Sequence, residues 1–189
     1  MIRKLFGLFV LLALLGAQTV SAEVKEINFG IISTEATMNL KKDWEPFLAE
    51  MEKATGLKIN AFFASDYAGI IEGMRFNKVD VAWLGNKAAM EAVDRSNGEI
   101  FAQTAAANAA AGYWRVLIVR KDCPITNVAD MLKNAKNLTF GNGDPNSTSG
   151  YLVPGYYVFA KNHVDAATAF KRTLNSSHEV NALSVAKGQ

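Results

Sequence analysis

Hydrophobic positions in the chain follow two spacings that alternate from one segment to the next. Continuous apolar runs, typical of buried strands, occupy 27–32, 57–63 and 79–84, and a weaker, alanine-rich run occupies 100–106. Between them, apolar residues recur every three or four positions, which is typical of amphipathic helices. The first of these helices is predicted to stop at Gly56, and Asp66 is predicted to cap the second.

The same alternation restarts after the small-residue stretch 105–112. Strands are predicted at 116–119, 138–141 and 170–174. Asn127 caps one predicted helix, an aromatic-rich helix follows residue 150, and Ser177 caps a last helix over 179–187. Strands that alternate with helices predict an α/β fold with parallel or mostly parallel sheets and right-handed crossovers. Ligands of such sheets bind beyond the carboxyl ends of the strands.

The first 22 residues have the pattern of a secretory signal. Arg3 and Lys4 precede an apolar run, and Val20-Ser21-Ala22 supplies the small residues of a cleavage site. The apolar run is shorter than the roughly 20 residues that a membrane span needs. We therefore expect export to the periplasm, with a mature chain that begins at Glu23.

Charge and cysteine content narrow the class of protein. The chain has 20 Lys and Arg against 18 Asp and Glu, and the predicted signal carries two of the basic residues and no acid, which leaves 18 against 18. This balance provides no basic field for nucleic acid, so none is expected as a partner. The single cysteine, Cys123, excludes an internal disulfide, so the fold depends on a hydrophobic core.

The loop 141–150 is the most informative stretch for function. It lies between a predicted strand and a predicted helix, and it places Ser147, Thr148 and Ser149 in a row where the helix begins. The first turn of a helix has unpaired N–H donors and the positive end of the helix dipole. Three hydroxyls between glycines at such a point favour an anion site over simple N-capping.

Other known motifs for chemistry do not fit the sequence. The loop has no lysine after its glycine, as a P-loop requires, and it has no G-x-S-x-G nucleophile elbow. His163 and His178 are far apart, and no metal-ligand spacing or dinucleotide fingerprint is present, so no cofactor is predicted. His178, at the start of the last helix, and Tyr67 and Tyr113 are further candidates for binding an oxyanion.

The order of predicted elements breaks off at the end of the sequence. The helix after Asp66 leads to a strand at 79–84, whereas the corresponding helix after Ser177 leads only to Gly188-Gln189. A sheet without that strand would leave backbone groups and apolar surface unpaired. We therefore expect the sequence to be part of a longer, two-lobed protein whose second lobe is incomplete here.

Five segments carry a resemblance to a known family. Asn28–Glu35, Asp66–Ile71, Met90–Arg95, Gly141–Gly150 and Leu152–Asn162 are similar to segments of the phosphonate-binding periplasmic proteins. The resemblance extends over essentially the whole predicted mature chain, and it is more specific than any single motif. It implies a type II periplasmic-binding fold, in which two α/β lobes close on a ligand in the cleft between them.

The resemblance also implies a domain order, a function and a site. Residues 1–22 would be the signal peptide, 23–111 the first lobe and 112–189 the incomplete second lobe. The protein would capture phosphonates, such as 2-aminoethylphosphonate, for a permease of an ABC transporter, and it would not be an enzyme. The family's acidic residues for the amine would lie beyond Gln189. The family positions around the phosphonate group are matched by Tyr67, Tyr113, Ser147, Thr148, Ser149 and His178.

Three other interpretations stay open on the sequence. The ligand could be phosphite or another small oxyanion, because hydroxyls read only the tetrahedral head group. A hydroxyl of 147–149 together with His178 could serve a secreted hydrolase, although no third group to orient the histidine is evident. The chain could also be a truncated product without function.

Overall fold

The structure, a computed structural model, describes residues 24–105, 107 and 112–189. Its strands are β1 (Glu26–Ile31), β2 (Lys58–Phe63), β3 (Val81–Trp83), β4 (Thr139–Asn142) and β5 (Arg172–Asn175). Its α-helices are α1 (Thr37–Thr55), α2 (Tyr67–Arg75), α3 (Asn86–Ser96), α4 (Val128–Lys133), α5 (Ala166–Ala169) and α6 (His178–Lys187). Wider π-helical turns cover Thr148–Leu152 and Gly155–Phe159, and 3-10 turns cover Ala135–Asn137 and Ala160–Asn162.

The strands form two separate parallel sheets, as the alternation of strands and helices predicts. The first sheet has the order β2-β1-β3, and the second pairs β4 with β5. In the first sheet Ile31 lies opposite Phe63 and Trp83, and in the second Phe140 lies opposite Thr173. We call the elements β1 to α3 the first unit and the elements α4 to α6 the second unit.

Helix α1 covers one face of the first sheet because its apolar residues share one side. Leu40, Trp44 and Leu48 recur every four positions and pack with Phe29 and Ile31 of β1. The predicted stop is confirmed: Gly56 has a φ of 69° and its N–H donates to the carbonyl of Glu52 over 2.8 Å.

Helices α2 and α3 cover the opposite face of the first sheet. Ile70 and Ile71 of α2 are fully buried, and Ala88 and Ala92 of α3 pack with them in one cluster. The predicted cap of α2 is also confirmed, because a side-chain oxygen of Asp66 accepts the N–H of Gly69. The start of α2 is therefore fixed at the carboxyl end of the sheet, where the candidate site lies.

The second unit has a hydrophobic core of its own. Phe140 of β4 packs against Phe159 and Phe170, with ring centroids 5.2 and 4.8 Å apart. Met131 of α4 and Ala135 complete the buried cluster. The caps predicted for α4 and α6 are confirmed, since the side chains of Asn127 and Ser177 accept N–H groups of their helices.

Two predicted strands are wrong for the described residues. Residues 116–119 and 100–105 have no regular structure, and Ala106 lies outside the described residues. Val116 is 77% exposed, and Ile100 and Phe101 are exposed as well. An apolar run becomes a strand only when a neighbour completes its hydrogen-bond ladder, and neither run pairs with any of the five described strands.

The predicted domain boundaries remain predictions. The predicted signal peptide, residues 1–22, lies outside the described residues, and the predicted boundary between the lobes at 111/112 adjoins residues that are also outside them. Among the residues that are described, no helix is both long enough and apolar enough to span a bilayer.

Candidate functional site

The loop between β4 and the first π-helical turn folds back on itself through backbone and side-chain hydrogen bonds. The Gly143 N–H donates to the Gly150 carbonyl over 2.9 Å, and the Ser147 N–H donates to the Asp144 carbonyl over 2.8 Å. The carboxylate of Asp144 accepts the Asn146 N–H over 2.7 Å. Hydrogen bonds therefore join the two ends of the loop, and the predicted hydroxyl row lies at the start of the helical segment.

The three hydroxyl side chains of this row have different surroundings. Ser147 is only 2% exposed, and its Oγ accepts the Gly150 N–H over 3.0 Å. Thr148 Oγ1 accepts the Lys87 N–H at the start of α3 over 2.9 Å. Ser149 lines an open cavity of about 660 Å³. A hydroxyl that accepts one bond still has its own O–H to donate, so the row can offer protons to an anion.

Tyr67 is the predicted site residue that the first unit places against this loop. Its side chain is buried, and its phenol lies close enough to Ser147 for that hydroxyl to affect the pKa of the phenol. Burial raises the pKa of the Tyr67 phenol from 10.0 to about 12, although the Ser147 contact acts in the opposite direction. The phenol is therefore protonated at neutral pH and can act as a hydrogen-bond donor.

The raised pKa of Tyr67 predicts a loss of stability in alkali. The unfolded chain releases this proton near pH 10 and the folded chain near pH 12, so the unfolded state binds fewer protons between those values. The free energy of unfolding should then fall by about 2 kcal/mol as the pH rises from 10 to 12. Urea unfolding at several pH values measures this slope.

The control for that experiment is the same substitution at an exposed tyrosine. Tyr67→Phe should remove this part of the alkaline slope, whereas Tyr151→Phe should leave it unchanged because the Tyr151 side chain is exposed. Equal slopes in the parent and in Tyr67→Phe would contradict the assignment of the slope to the buried phenol.

His178 and Tyr113 differ in how closely they approach the loop. His178 is the first residue of α6, and its Cε1 would lie 3.1 Å from a Cβ placed on Gly150, so the ring borders the loop. Tyr113 is 67% exposed and lines the same cavity as Ser149. The structure thus gathers Tyr67, Ser147 and His178 at the loop and leaves Tyr113 at its rim.

Sequence reasoning missed two charged residues of the site, Asp144 within the loop and Lys87 beside it. Asp144 Oδ2 accepts the Tyr67 N–H at the start of α2 over 3.2 Å. Lys87 Nζ lies 3.2 Å from Asn146 Oδ1 and 3.4 Å from Glu91 Oε1. Aspartate before proline is typical of a turn, and this signal could have singled out Asp144. Lys87 carries no such signal, because its position depends on how the two units meet.

The combined site is rich in hydrogen-bond donors. The loop itself carries the hydroxyl row, and the Tyr67 phenol and the Lys87 ammonium lie beside it, with the side chain of Lys87 only 21% exposed. Beneath them the Oδ1 of Asn142 is buried and accepts no hydrogen bond from any described residue. Within the described ranges, His, Cys, Asp and Glu form no group suited to a metal ion. The arrangement can bind a small oxyanion through neutral donors and one cation.

Two parallel α/β units that meet at a donor-lined loop are typical of a binding protein for small solutes. A model of the family "ABC transporter, phosphonate, periplasmic substrate-binding protein" matches residues 29–189. The chain therefore belongs to the family of periplasmic substrate-binding proteins of phosphonate ABC transporters. Since this is a family of binding proteins and not of enzymes, the hydrolase interpretation is set aside.

Individual relatives agree with this assignment. The chain is 64% identical over 183 residues to the phosphonates-binding periplasmic protein of Escherichia coli, which is 97% of this chain and 54% of that protein. It is 31% identical over 173 residues to a phosphate-import protein of Mycolicibacterium smegmatis, 86% of this chain and 52% of the relative. The chain thus spans about half the length of these curated relatives.

Solved structures show the same fold. A binding-protein component of an ABC phosphonate transporter from Pseudomonas aeruginosa superposes with a TM-score of 0.86 at 71% identity, over 88% of this chain and 55% of that one. PhnD1 of Prochlorococcus marinus, solved with methylphosphonate, gives a TM-score of 0.63 at 22% identity, over 87% of this chain and 61% of its own. The chain therefore has part of the periplasmic-binding-protein fold expected from its sequence.

Proposed function

We propose that this protein binds a phosphonate in the periplasm and delivers it to the permease of an ABC importer. The observation that carries the proposal is the closed loop 143–150, which holds three hydroxyls at a helix start beside the Tyr67 phenol and His178. The ligand would lie against this loop, with Tyr67, Tyr113, Ser147, Thr148, Ser149 and His178 around its phosphonate group.

The donors at the loop suit the charge and shape of a phosphonate. Its oxygens are strong acceptors, and they gain most from donors that are already fixed before the ligand arrives. The Tyr67 phenol is buried and the loop backbone is closed on itself, so little ordering remains to be done on binding. The Lys87 ammonium, which lies 3.2 Å from Asn146 Oδ1 of the loop and is also paired with Glu91, would offset part of the ligand charge.

Periplasmic delivery follows from the same proposal. The 64% identical relative in Escherichia coli is named a phosphonates-binding periplasmic protein. Residues 1–22 would direct export and be removed, and the permease would bind the loaded form. The ligand would stabilise the closed arrangement of two lobes, since a ligand shifts the equilibrium toward the state it binds better.

Phosphate and phosphite are the second candidate ligands. The relative from Mycolicibacterium smegmatis, at 31% identity, is named for phosphate import, and one from Prochlorococcus marinus, at 26%, is named a probable phosphite-binding protein. Both share a tetrahedral oxyanion head with phosphonates. Calorimetric titration with methylphosphonate, 2-aminoethylphosphonate, phosphate and phosphite ranks them directly. Binding of phosphate or phosphite alone would overturn the phosphonate proposal in favour of this candidate.

Substitutions in the hydroxyl row test the site itself. Thr148→Ala should weaken methylphosphonate binding about 10- to 100-fold, because a donor to a charged oxygen is lost. Ser147→Ala should do the same and should also lower the free energy of unfolding by about 1 kcal/mol, because the Gly150 N–H loses its acceptor. Calorimetry and urea unfolding measure the two effects.

A hydroxyl outside the loop supplies the control. Thr139→Ala removes an exposed hydroxyl at the opposite end of β4 and should leave affinity unchanged. If both Ser147→Ala and Thr148→Ala bind methylphosphonate as tightly as the parent chain, the hydroxyl row is not the site.

A further inference from the structure

Helices of the first unit begin against side chains of the second unit. The N–H of Tyr67, the first residue of α2, donates to Asp144 over 3.2 Å. The N–H of Lys87, the second residue of α3, donates to Thr148 over 2.9 Å. N–H groups in the first turn of a helix have no partner within the helix. In both helices, the second unit therefore supplies an acceptor that the helix itself lacks.

Helix α1 shows the same arrangement. Glu179 in the first turn of α6 accepts the Ala36 N–H through Oε2 over 2.6 Å, and its Oε1 accepts from Asn39 Nδ2 over 2.9 Å. The N–H of Glu179 lies 3.4 Å from the Thr34 carbonyl. One residue of the second unit thus makes two hydrogen bonds to the start of α1 and a third to the segment just before it.

The sequence of α1 explains why an outside acceptor is effective there. Its N-cap residue is Ala36, which has no side chain to bond the helix, and no acidic residue lies in the first turn. The positive end of the helix dipole is therefore available to an acid from elsewhere, and Glu179 occupies it with a full negative charge. The contact joins residues 143 positions apart and forms only when the two units meet.

We infer that Glu179 is a positioning residue that holds the two units together before a ligand binds. This inference rests on the proposed function only where it concerns the effect of Glu179 on the affinity for methylphosphonate. Glu179 follows His178 directly, so the contact with α1 also fixes where the His178 ring stands beside Gly150. Glu179 acts through this placement and through the equilibrium between joined and separated units.

The equilibrium gives the inference a measurable consequence. If only a fraction of the molecules has the units joined, the apparent dissociation constant is the intrinsic one divided by that fraction. Loss of the Glu179 contact should lower the fraction and weaken binding of methylphosphonate about three- to tenfold.

Three variants separate this role from a local effect on α6. Glu179→Ala removes the contact with α1. Glu179→Asp keeps an acid in the first turn of α6, where the helix dipole favours it, but the shorter side chain cannot reach Ala36. Glu50→Ala is the matched control, because Glu50 is an exposed residue of α1 whose ion pair with Lys53 is open to solvent.

The measurement uses spin labels on the full chain without ligand. Cysteines replace the exposed Lys42 of α1 and Lys187 of α6 in a Cys123→Ser background, and electron double resonance records the distance between the labels. The parent and Glu50→Ala should give one short distance. Glu179→Ala and Glu179→Asp should both add a longer one. Identical distance distributions in all four proteins would overturn the inference, as would a change in Glu179→Ala alone.

Addition of methylphosphonate distinguishes this inference from the proposed function. A ligand that binds between the units should return the longer distance of Glu179→Asp to the short one. If the longer distance persists at saturating methylphosphonate, the proposed ligand is wrong, whereas the role of Glu179 stands on the ligand-free distances.

Discussion

Replacement of Gly143 by alanine is expected to weaken the proposed binding of methylphosphonate strongly and to destabilise the chain. A Cβ at this position would lie 2.5 Å from Cα and 2.6 Å from the carbonyl carbon of Gly150. Both are backbone atoms and cannot turn away, so the loop would have to open and lose the bond between the Gly143 N–H and the Gly150 carbonyl. We expect affinity to fall at least about 100-fold and the free energy of unfolding to fall by about 2–3 kcal/mol.

Gly155→Ala is the matched control for this substitution. Apart from its chain neighbours and the backbone of its own helical turn, no atom lies within 4 Å of a Cβ at Gly155, which is in the second π-helical turn. The added methyl group should therefore leave affinity unchanged and stabilise the chain slightly. Calorimetry with methylphosphonate and urea unfolding should be run on both variants. Parent-like binding by Gly143→Ala would show that the closed loop is not needed for the ligand.

Replacement of Phe140 by alanine is expected to unfold the second unit first. Its ring packs on Phe159 and Phe170, and truncation of a buried phenylalanine costs about 3–5 kcal/mol. The first unit has a separate core, which includes Trp44 and Trp83 with ring centroids 5.1 Å apart. In a Trp114→Phe background, tryptophan fluorescence therefore reports on the first unit, and circular dichroism reports on both.

The experiment follows both signals during unfolding in urea. In Phe140→Ala, part of the circular dichroism should be lost at urea concentrations at which tryptophan fluorescence is unchanged. Phe76→Ala, which truncates an exposed ring at the end of α2, should change the stability by less than about 0.5 kcal/mol. If both signals of Phe140→Ala shift together, the two units unfold as one.

Local signals in the sequence were enough for most of the helices. The four-residue spacing of Leu40, Trp44 and Leu48 predicted α1, and Gly56 predicted its end. The caps at Asp66 and Ser177 could likewise be predicted from residue type and position. In the structure, each side chain accepts an N–H from three residues ahead. Such features depend on residues that are close in the chain, so they can be predicted without knowledge of the tertiary fold.

The two wrong strands depended on partners that no local pattern supplies. Residues 116–119 are as apolar as a buried strand, yet their side chains are exposed because no described strand lies beside them. Hydrophobicity shows that a segment can be buried in a sheet. The partner strand that completes its hydrogen bonds and covers it comes from another part of the chain. For this reason, strands are predicted less securely than capped helices.

For the candidate site as well, local features could be predicted from the sequence and contacts between distant residues could not. The strand-to-helix junction and the hydroxyl row could be read from residues 141–150, and the structure places both there. The contacts of Asp144 with Tyr67, of Thr148 with Lys87, and of Glu179 with Ala36 could not be read, because they join residues 61 to 143 positions apart. They depend on how the two units meet, which no short motif encodes.

The capping of α1 by Glu179, a residue far along the chain, has a consequence for folding during synthesis. A chain leaves the ribosome from its N-terminus, so α1 emerges long before Glu179 has been translated. Until then, the Ala36 N–H has only water as a partner, and the first turn of α1 can fray. The start of this early helix therefore becomes ordered only when α6 arrives to cap it.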